Sequence, residues 1–106
     1  MKQDQQASTP GSARFALADN PAQSRYEMTA DGEVAAWAEY RRDGDVMRFL
    51  HTEVQGAYEG HGLASRLAAF ALDDARRQGL RAVPDCPFMA RYVERHPEYA
   101  DLVTPR

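Results

Sequence analysis

The sequence predicts an α+β fold in the order β-β-β-α-β-α, a mixed but mostly antiparallel sheet with helices packed on it. Three observations carry this expectation. Asp-Gly dipeptides at 31–32 and 43–44 separate alternating stretches, as hairpin turns do. An apolar stripe of Leu63, Leu67, Phe70, Ala71 and Ala75 has helical spacing. A short apolar run, Leu80-Arg81-Ala82-Val83, follows that helix and must rejoin the sheet through a crossover.

The elements follow in order. Residues 1–12 are polar and aperiodic and read as a disordered leader, leaving 13–106 as a single domain. Phe15-Ala16-Leu17 reads as a short edge strand before the turn-like Asp19-Asn20-Pro21. Arg25 to Thr29 alternates, with Tyr26 and Met28 on one face. In the next strand Val34, Ala36, Ala38 and Tyr40 share a face, with Trp37 on the other. Val46 to Val54 places Val46, Leu50 and Val54 on one side and Met47, Phe49, His51 and Glu53 on the other. Both sides are largely apolar, so a central strand covered on both faces is expected. The long helix ends with Arg76 and Arg77, read as a solvated end where cations oppose the dipole, and Gly79 as the stop. Pro87 suits the first position of a second helix, capped by Cys86 or Asp85 and running to about His96, where Pro97 interrupts it. Trp37, Tyr26, Phe49 and Phe70 read as core.

Composition narrows the function. The formal net charge of −3 and pI near 5.5 argue against a nucleic-acid partner, which wants a basic surface. A single cysteine excludes an internal disulfide and a multi-cysteine metal site. No apolar run approaches the roughly 20 residues of a membrane span, and the first residues lack a signal-peptide stretch. The expectation is a soluble, cytoplasmic protein without metal, nucleic acid or membrane.

The most informative stretch is His51-Thr52-Glu53-Val54-Gln55-Gly56-Ala57-Tyr58-Glu59-Gly60-His61-Gly62-Leu63-Ala64, a strand running through a glycine-bearing loop into the helix. Backbone N–H groups and the positive end of the helix dipole converge there, which suits a phosphate group. Gly60 and Gly62 remove the Cβ atoms that would hold a ligand's oxygens off the backbone.

With the order placed, the chain resembles the GNAT superfamily of acyl-CoA-dependent N-acetyltransferases, specifically its short, single-domain YjdJ-like branch. The residues that carry the resemblance are His51-Thr52-Glu53-Val54, Glu59-Gly60-His61-Gly62-Leu63-Ala64, Asp73-Asp74-Ala75-Arg76, Cys86-Pro87-Phe88 and His96-Pro97-Glu98-Tyr99. The resemblance implies a GNAT-like sheet and acetyl-CoA (coenzyme A) as cofactor. Its site would comprise Val54, Glu59, Gly60, His61, Gly62, Leu63, Ala64, Ser65 and Arg66, with the pyrophosphate on loop amides. The pantetheine arm would lie between splayed strands near 48–54 and 80–85. Two departures stand out. Glu59 replaces the family's Gln or Arg, so Arg66 or His61 is expected to offset its charge. Val93 aligns with the tyrosine that many GNAT enzymes use to protonate the leaving thiolate, and Tyr92 stands one residue early.

Amine acetylation needs a base, donors that polarise the thioester and a proton for the thiolate. His51 is the candidate base, its ordinary pKa being about 6.5, with Glu53 on the same face as its relay. Each also has a bracing alternative, as a hydrogen-bonded histidine and carboxylate of the sheet. Tyr92 is the candidate acid. Cys86 at a helix start would be favoured as thiolate and able to accept acetyl in a two-step route, the alternative being a small buried hydrophobe. The leading expectation is transfer of acetyl to a primary amine of a small molecule or protein side chain. A non-catalytic acyl-CoA-binding module comes second, and a pure protein-interaction domain third. The sequence carries no interface signature that fixes an oligomeric state.

Overall fold

A computed structural model describes residues 14–104, so the expected leader at 1–12 lies outside the described residues. Five strands form one sheet in sequence order: β1 (Phe15–Asn20), β2 (Arg25–Ala30), β3 (Glu33–Asp43), β4 (Val46–Val54) and β5 (Arg81–Pro84). β1 to β4 are an antiparallel meander, and β5 pairs parallel to β4 after the crossover helix α1 (Leu63–Arg77). Helix α2 (Pro87–Arg95) follows, then a 3-10 turn at Pro97–Tyr99. The expected order stands, and the short edge strand expected at Phe15-Ala16-Leu17 runs for six residues, to Asn20.

The turns differ in kind. Asp31 and Gly32 both have positive φ, 51° and 88°, which is the type I′ pattern that suits hairpin twist. The Asp31 carboxylate also accepts from the Arg14 amide at 3.1 Å. In the second hairpin Asp43 pairs with Val46, so the two loop residues are Gly44 and Asp45. Only the glycine has positive φ there, as in a glycine-first turn.

The core gathers on one face of the sheet. Tyr26, Met28, Ala36, Ala38, Tyr40, Met47 and Phe49 meet the buried stripe of α1 (Leu63, Leu67, Ala68, Ala71, Leu72 and Ala75) and Met89 and Tyr92 of α2. α1 ends in a Schellman motif: the Gly79 amide donates to the Arg76 carbonyl at 3.0 Å and the Leu80 amide to the Ala75 carbonyl at 2.9 Å. Gly79 has φ 74°, which explains the glycine. Tyr26 donates to Asp74 at 2.6 Å and Tyr99 to Asp73 at 2.8 Å, so the paired aspartates pin α1 to β2 and to the C-terminal segment. Burial and the adjacent carboxylates push both phenols well above their ordinary range. Among the described residues no helix is long and apolar enough to cross a membrane.

Three expectations are corrected here. First, β4 does not alternate evenly. Tyr40 pairs with Phe49 but Glu39 with His51, so Leu50 is an extra residue in a β-bulge. Met47, Phe49, Thr52 and Val54 therefore turn towards the core side. Arg48, His51 and Glu53 take the opposite side, and Leu50 is 43% exposed. The opposite face is polar and partly open, not a second covered face. Second, Trp37 lies on that face, 5.0 Å beneath the Arg25 guanidinium and donating to Glu39 at 3.0 Å, and is not core. Third, Arg76 is more than a solvated end. It donates to Asp101 at 2.9 Å and to the Glu98 carbonyl at 2.8 Å, tying the C-terminal segment to α1.

Candidate active site

The site begins where β4 and β5 part. β5 pairs with β4 only from Val46 to Phe49, and β4 continues to Val54 with no strand on that edge among the described residues. The bulge at Leu50 falls immediately after the last pair. β5 itself ends at Pro84, the partner of Phe49, and the bulge adds a local bend to β4 where the pairing stops. The Cys86 amide closes the apex by donating to the Phe49 carbonyl at 2.9 Å.

Beyond Val54 the chain makes a single 3-10 turn at Gly56–Tyr58 before entering α1. Gly60 (φ 84°) and Gly62 (φ 75°) hold left-handed conformations that place the chain for the helix. Gly62 is the N-cap and supplies no side-chain cap. The first amides of α1, which have no intrahelical acceptor, thus remain available at the positive end of the dipole. They open on a cleft of about 450 Å³ lined by Thr52, Glu53, Val54, Tyr58, Glu59, Gly60, Gly62, Leu63, Ala64, Ser65 and Phe88.

Seven of the nine expected cofactor residues therefore line one cleft: Val54, Glu59, Gly60, Gly62, Leu63, Ala64 and Ser65. His61 and Arg66 do not, and the Arg66 guanidinium sits 5.6 Å over the Phe15 ring. The expected charge offset at Glu59 is absent from the lining. Glu53 and Glu59 line the cleft, and among the described residues no Arg, Lys or His does. Thr52, Tyr58 and Phe88 were missed by sequence reasoning. Each lies within a stretch already singled out, but alternation and motif order do not report which way a loop or helix-start side chain turns.

The expected catalytic residues are not brought together. His51 Nε2 is 2.8 Å from Glu53 Oε1, and both are half-exposed on the open face. The pair is in place, and its carboxylate member reaches the cleft. Cys86 is the N-cap of α2, as expected, but its side chain does not cap. It is only 4% exposed, its Sγ donates to Thr52 Oγ1 at 3.6 Å, and it lines no part of the cleft. A buried thiol so engaged is a packing group, not a presented nucleophile. Tyr92 also lies outside the cleft, with its ring stacked on His96 at 3.8 Å and Phe88 at 6.3 Å. Burial, with Glu98 and Asp73 nearby, raises its pKa and weakens it as an acid. His96 is the C-cap of α2, its Nδ1 2.8 Å from the Tyr92 carbonyl. Among the described residues no group of three or more His, Cys, Asp or Glu is placed to hold a metal.

Comparisons with known proteins bear on the family and the fold. Protein NATD1 of Mus musculus is 39% identical over 62 residues, 57% of this chain and 56% of its own. The Homo sapiens protein of the same name is 39% identical over the same length, covering 55% of its own. The match thus spans about half the length of these relatives. Among solved structures, a GCN5-like protein from Staphylococcus aureus superposes with a TM-score of 0.68 at 20% identity, over 86% of this chain and 89% of that one. The ribosomal-protein-S18-alanine N-acetyltransferase of Escherichia coli gives 0.51 at 18% identity, over 76% of this chain and 46% of that one. At such identities these two establish the fold. Residues 25–102, from β2 to the C-terminal segment, match the family described as GCN5-related N-acetyl-transferase, and the chain belongs to that family.

Proposed function

We propose that this protein transfers the acetyl group of acetyl-CoA to a primary amine on a small molecule or a protein side chain. One observation carries the reading. Two left-handed glycines deliver the free amides of α1 into a cleft beside the stretch of β4 that β5 leaves unpaired. The residues fit such a cofactor. Leu63, Ala64 and Ser65 would hold its pyrophosphate through backbone N–H groups. The open edge of β4 offers backbone groups to an amide-bearing arm, as it would to an added strand. Bound there, acetyl-CoA supplies an activated acyl group on sulfur.

The chain's own part is to deprotonate the acceptor. Glu53 stands at the cleft wall with His51 bonded behind it, on the face left open to solvent. An acceptor amine arriving over that face meets the pair at the cleft mouth, where the dyad takes its proton. The Escherichia coli relative of this fold acts on an alanine of a ribosomal protein, so a protein acceptor is one class to test. A second reading, a module that binds acyl-CoA without turnover, is favoured by the placement of Cys86 and Tyr92 outside the cleft.

The experiment is calorimetric titration with acetyl-CoA, repeated on Ser65→Glu, followed by thiol-release assays over polyamines, lysine peptides and free peptide N-termini. A glutamate at the third helical position suits the helix but sets a carboxylate where phosphate would sit. Binding lost in Ser65→Glu, with amine-dependent thiol release by the native protein, is the expected result. Binding without release from any acceptor would favour the second reading, and no binding at millimolar ligand would sink both.

A further inference from the structure

The cleft has a charge problem that its own lining does not solve. A polyanionic cofactor would face Glu53 and Glu59 there, with no cation in the lining among the described residues. The cations stand next door. Between the start of α1 and the outer face of α2 lies a second hollow of about 230 Å³, lined by Ser65, Phe88, Arg91, Tyr92, Arg95 and His96. Ser65 and Phe88 belong to both hollows, so the two are contiguous.

Arg91 and Arg95 are one helical turn apart on α2 and exposed. Several of the chain's other arginines are held by carboxylates: Arg25 by Glu27, Arg48 by Asp85, Arg76 by Asp101 and Arg77 by Asp74. Among the described residues no carboxylate forms an ion pair with Arg91 or Arg95, although Glu94 lies between them in sequence. His96 donates through Nδ1 to the Tyr92 carbonyl, so its neutral ring closes one side of the hollow without adding a donor to it. The Ser65 hydroxyl adds a donor from the α1 side. Two guanidinium groups without a carboxylate partner among the described residues, with a hydroxyl beside them, make a site for a dianionic phosphate monoester.

We propose that this hollow is a second phosphate site, which takes the terminal phosphomonoester at the nucleotide end of coenzyme A. This rests on the coenzyme A reading of the main cleft and divides the work with it. The loop amides hold the pyrophosphate, and Arg91 and Arg95 supply the cationic charge that the loop lacks.

The test compares coenzyme A with dephospho-coenzyme A, which keeps the pyrophosphate and lacks only the phosphomonoester. Both are titrated into the native protein and into the Arg91→Gln/Arg95→Gln double variant, with inorganic phosphate as a third ligand. Both positions are exposed, so circular dichroism should show the fold retained. The native protein is expected to prefer coenzyme A by roughly tenfold or more, the preference shrinking with salt. The double variant should bind both equally, at the native level for dephospho-coenzyme A. Equal binding by the native protein would overturn the proposal and leave the main cleft's reading intact. A preference that survives in the double variant would also overturn it, since the phosphomonoester would then be held elsewhere. Tight inorganic phosphate binding that the double variant loses, with equal affinity for the two nucleotides, would mean an independent anion site and overturn the assignment to coenzyme A. If neither nucleotide binds, the coenzyme A reading fails and this one with it.

Discussion

At the scale of single residues the site separates groups that touch the cleft from groups that only build it. Glu53 reaches the cleft wall and His51 backs it at 2.8 Å. Glu53→Gln keeps the shape and removes the proton acceptor, so turnover should fall by about 10²–10⁴ with acetyl-CoA affinity nearly unchanged. Parallel kinetics and calorimetry would show whether the two quantities part. His51→Ala should lower turnover less, because His51 acts through the carboxylate it bonds. Cys86 makes the opposite prediction. Its thiol is buried against Thr52, so Cys86→Ala should cost about 1 kcal/mol of stability and leave transfer within a few-fold of native. Near-complete loss of transfer in a folded Cys86→Ala protein would restore the covalent route. The residue types for base and thiol were legible in the sequence, but their access to the cleft was not. Cys86 meets Thr52 across 34 positions, and no local pattern reports such a contact.

At the scale of elements the decisive feature is the bulge in β4. Leu50 is the extra residue, placed directly after the last pairing of β4 with β5. Deleting Leu50 would give an even ladder with His51, Thr52, Glu53 and Val54 on their present sides, yet it would remove the local bend of β4 where its pairing with β5 stops. The deletion variant is expected to keep its far-ultraviolet circular dichroism while losing roughly tenfold or more in acetyl-CoA affinity. Native affinity in a folded deletion variant would show that the cleft does not depend on the bulge. Alternation was read correctly up to Phe49 and then put His51 on the wrong side. A strand's period is visible in sequence, whereas one inserted residue looks like any other apolar residue. The helices were more legible. The stripe of α1, its glycine stop and the Pro87 start of α2 are set by bonds within a few residues of each other.

For the whole molecule, stability should depend on pH through the open face as well as the core. The Glu27 carboxylate accepts from Arg25 at 2.7 Å and from the Asn20 side-chain amide at 3.0 Å, the latter linking β1 to β2. The Arg25 bond, with help from Asn20 and against the cost of burial, holds the Glu27 carboxyl below its ordinary value. The unfolded chain therefore takes up this proton at a higher pH than the folded one. The contribution is complete above the ordinary glutamate value of about 4.3 and is lost as pH falls through the lower folded value. Denaturant melts between pH 7 and 3 should show this slope, and Arg25→Gln should flatten it. An unchanged slope in that variant would assign the acid sensitivity elsewhere. By itself the sequence determined the strand and helix order, the hairpin loops, the amphipathic face of α1 and the glycine loop at its start. These follow from short-range sterics, periodicity and capping, which act between near neighbours. Only the tertiary structure decided which face His51 and Glu53 share, that Cys86 and Tyr92 turn into packing, and that Arg91 and Arg95 stand beside the glycine loop. Those outcomes depend on a bulge and on contacts between distant segments, which are fixed by how the elements pack together.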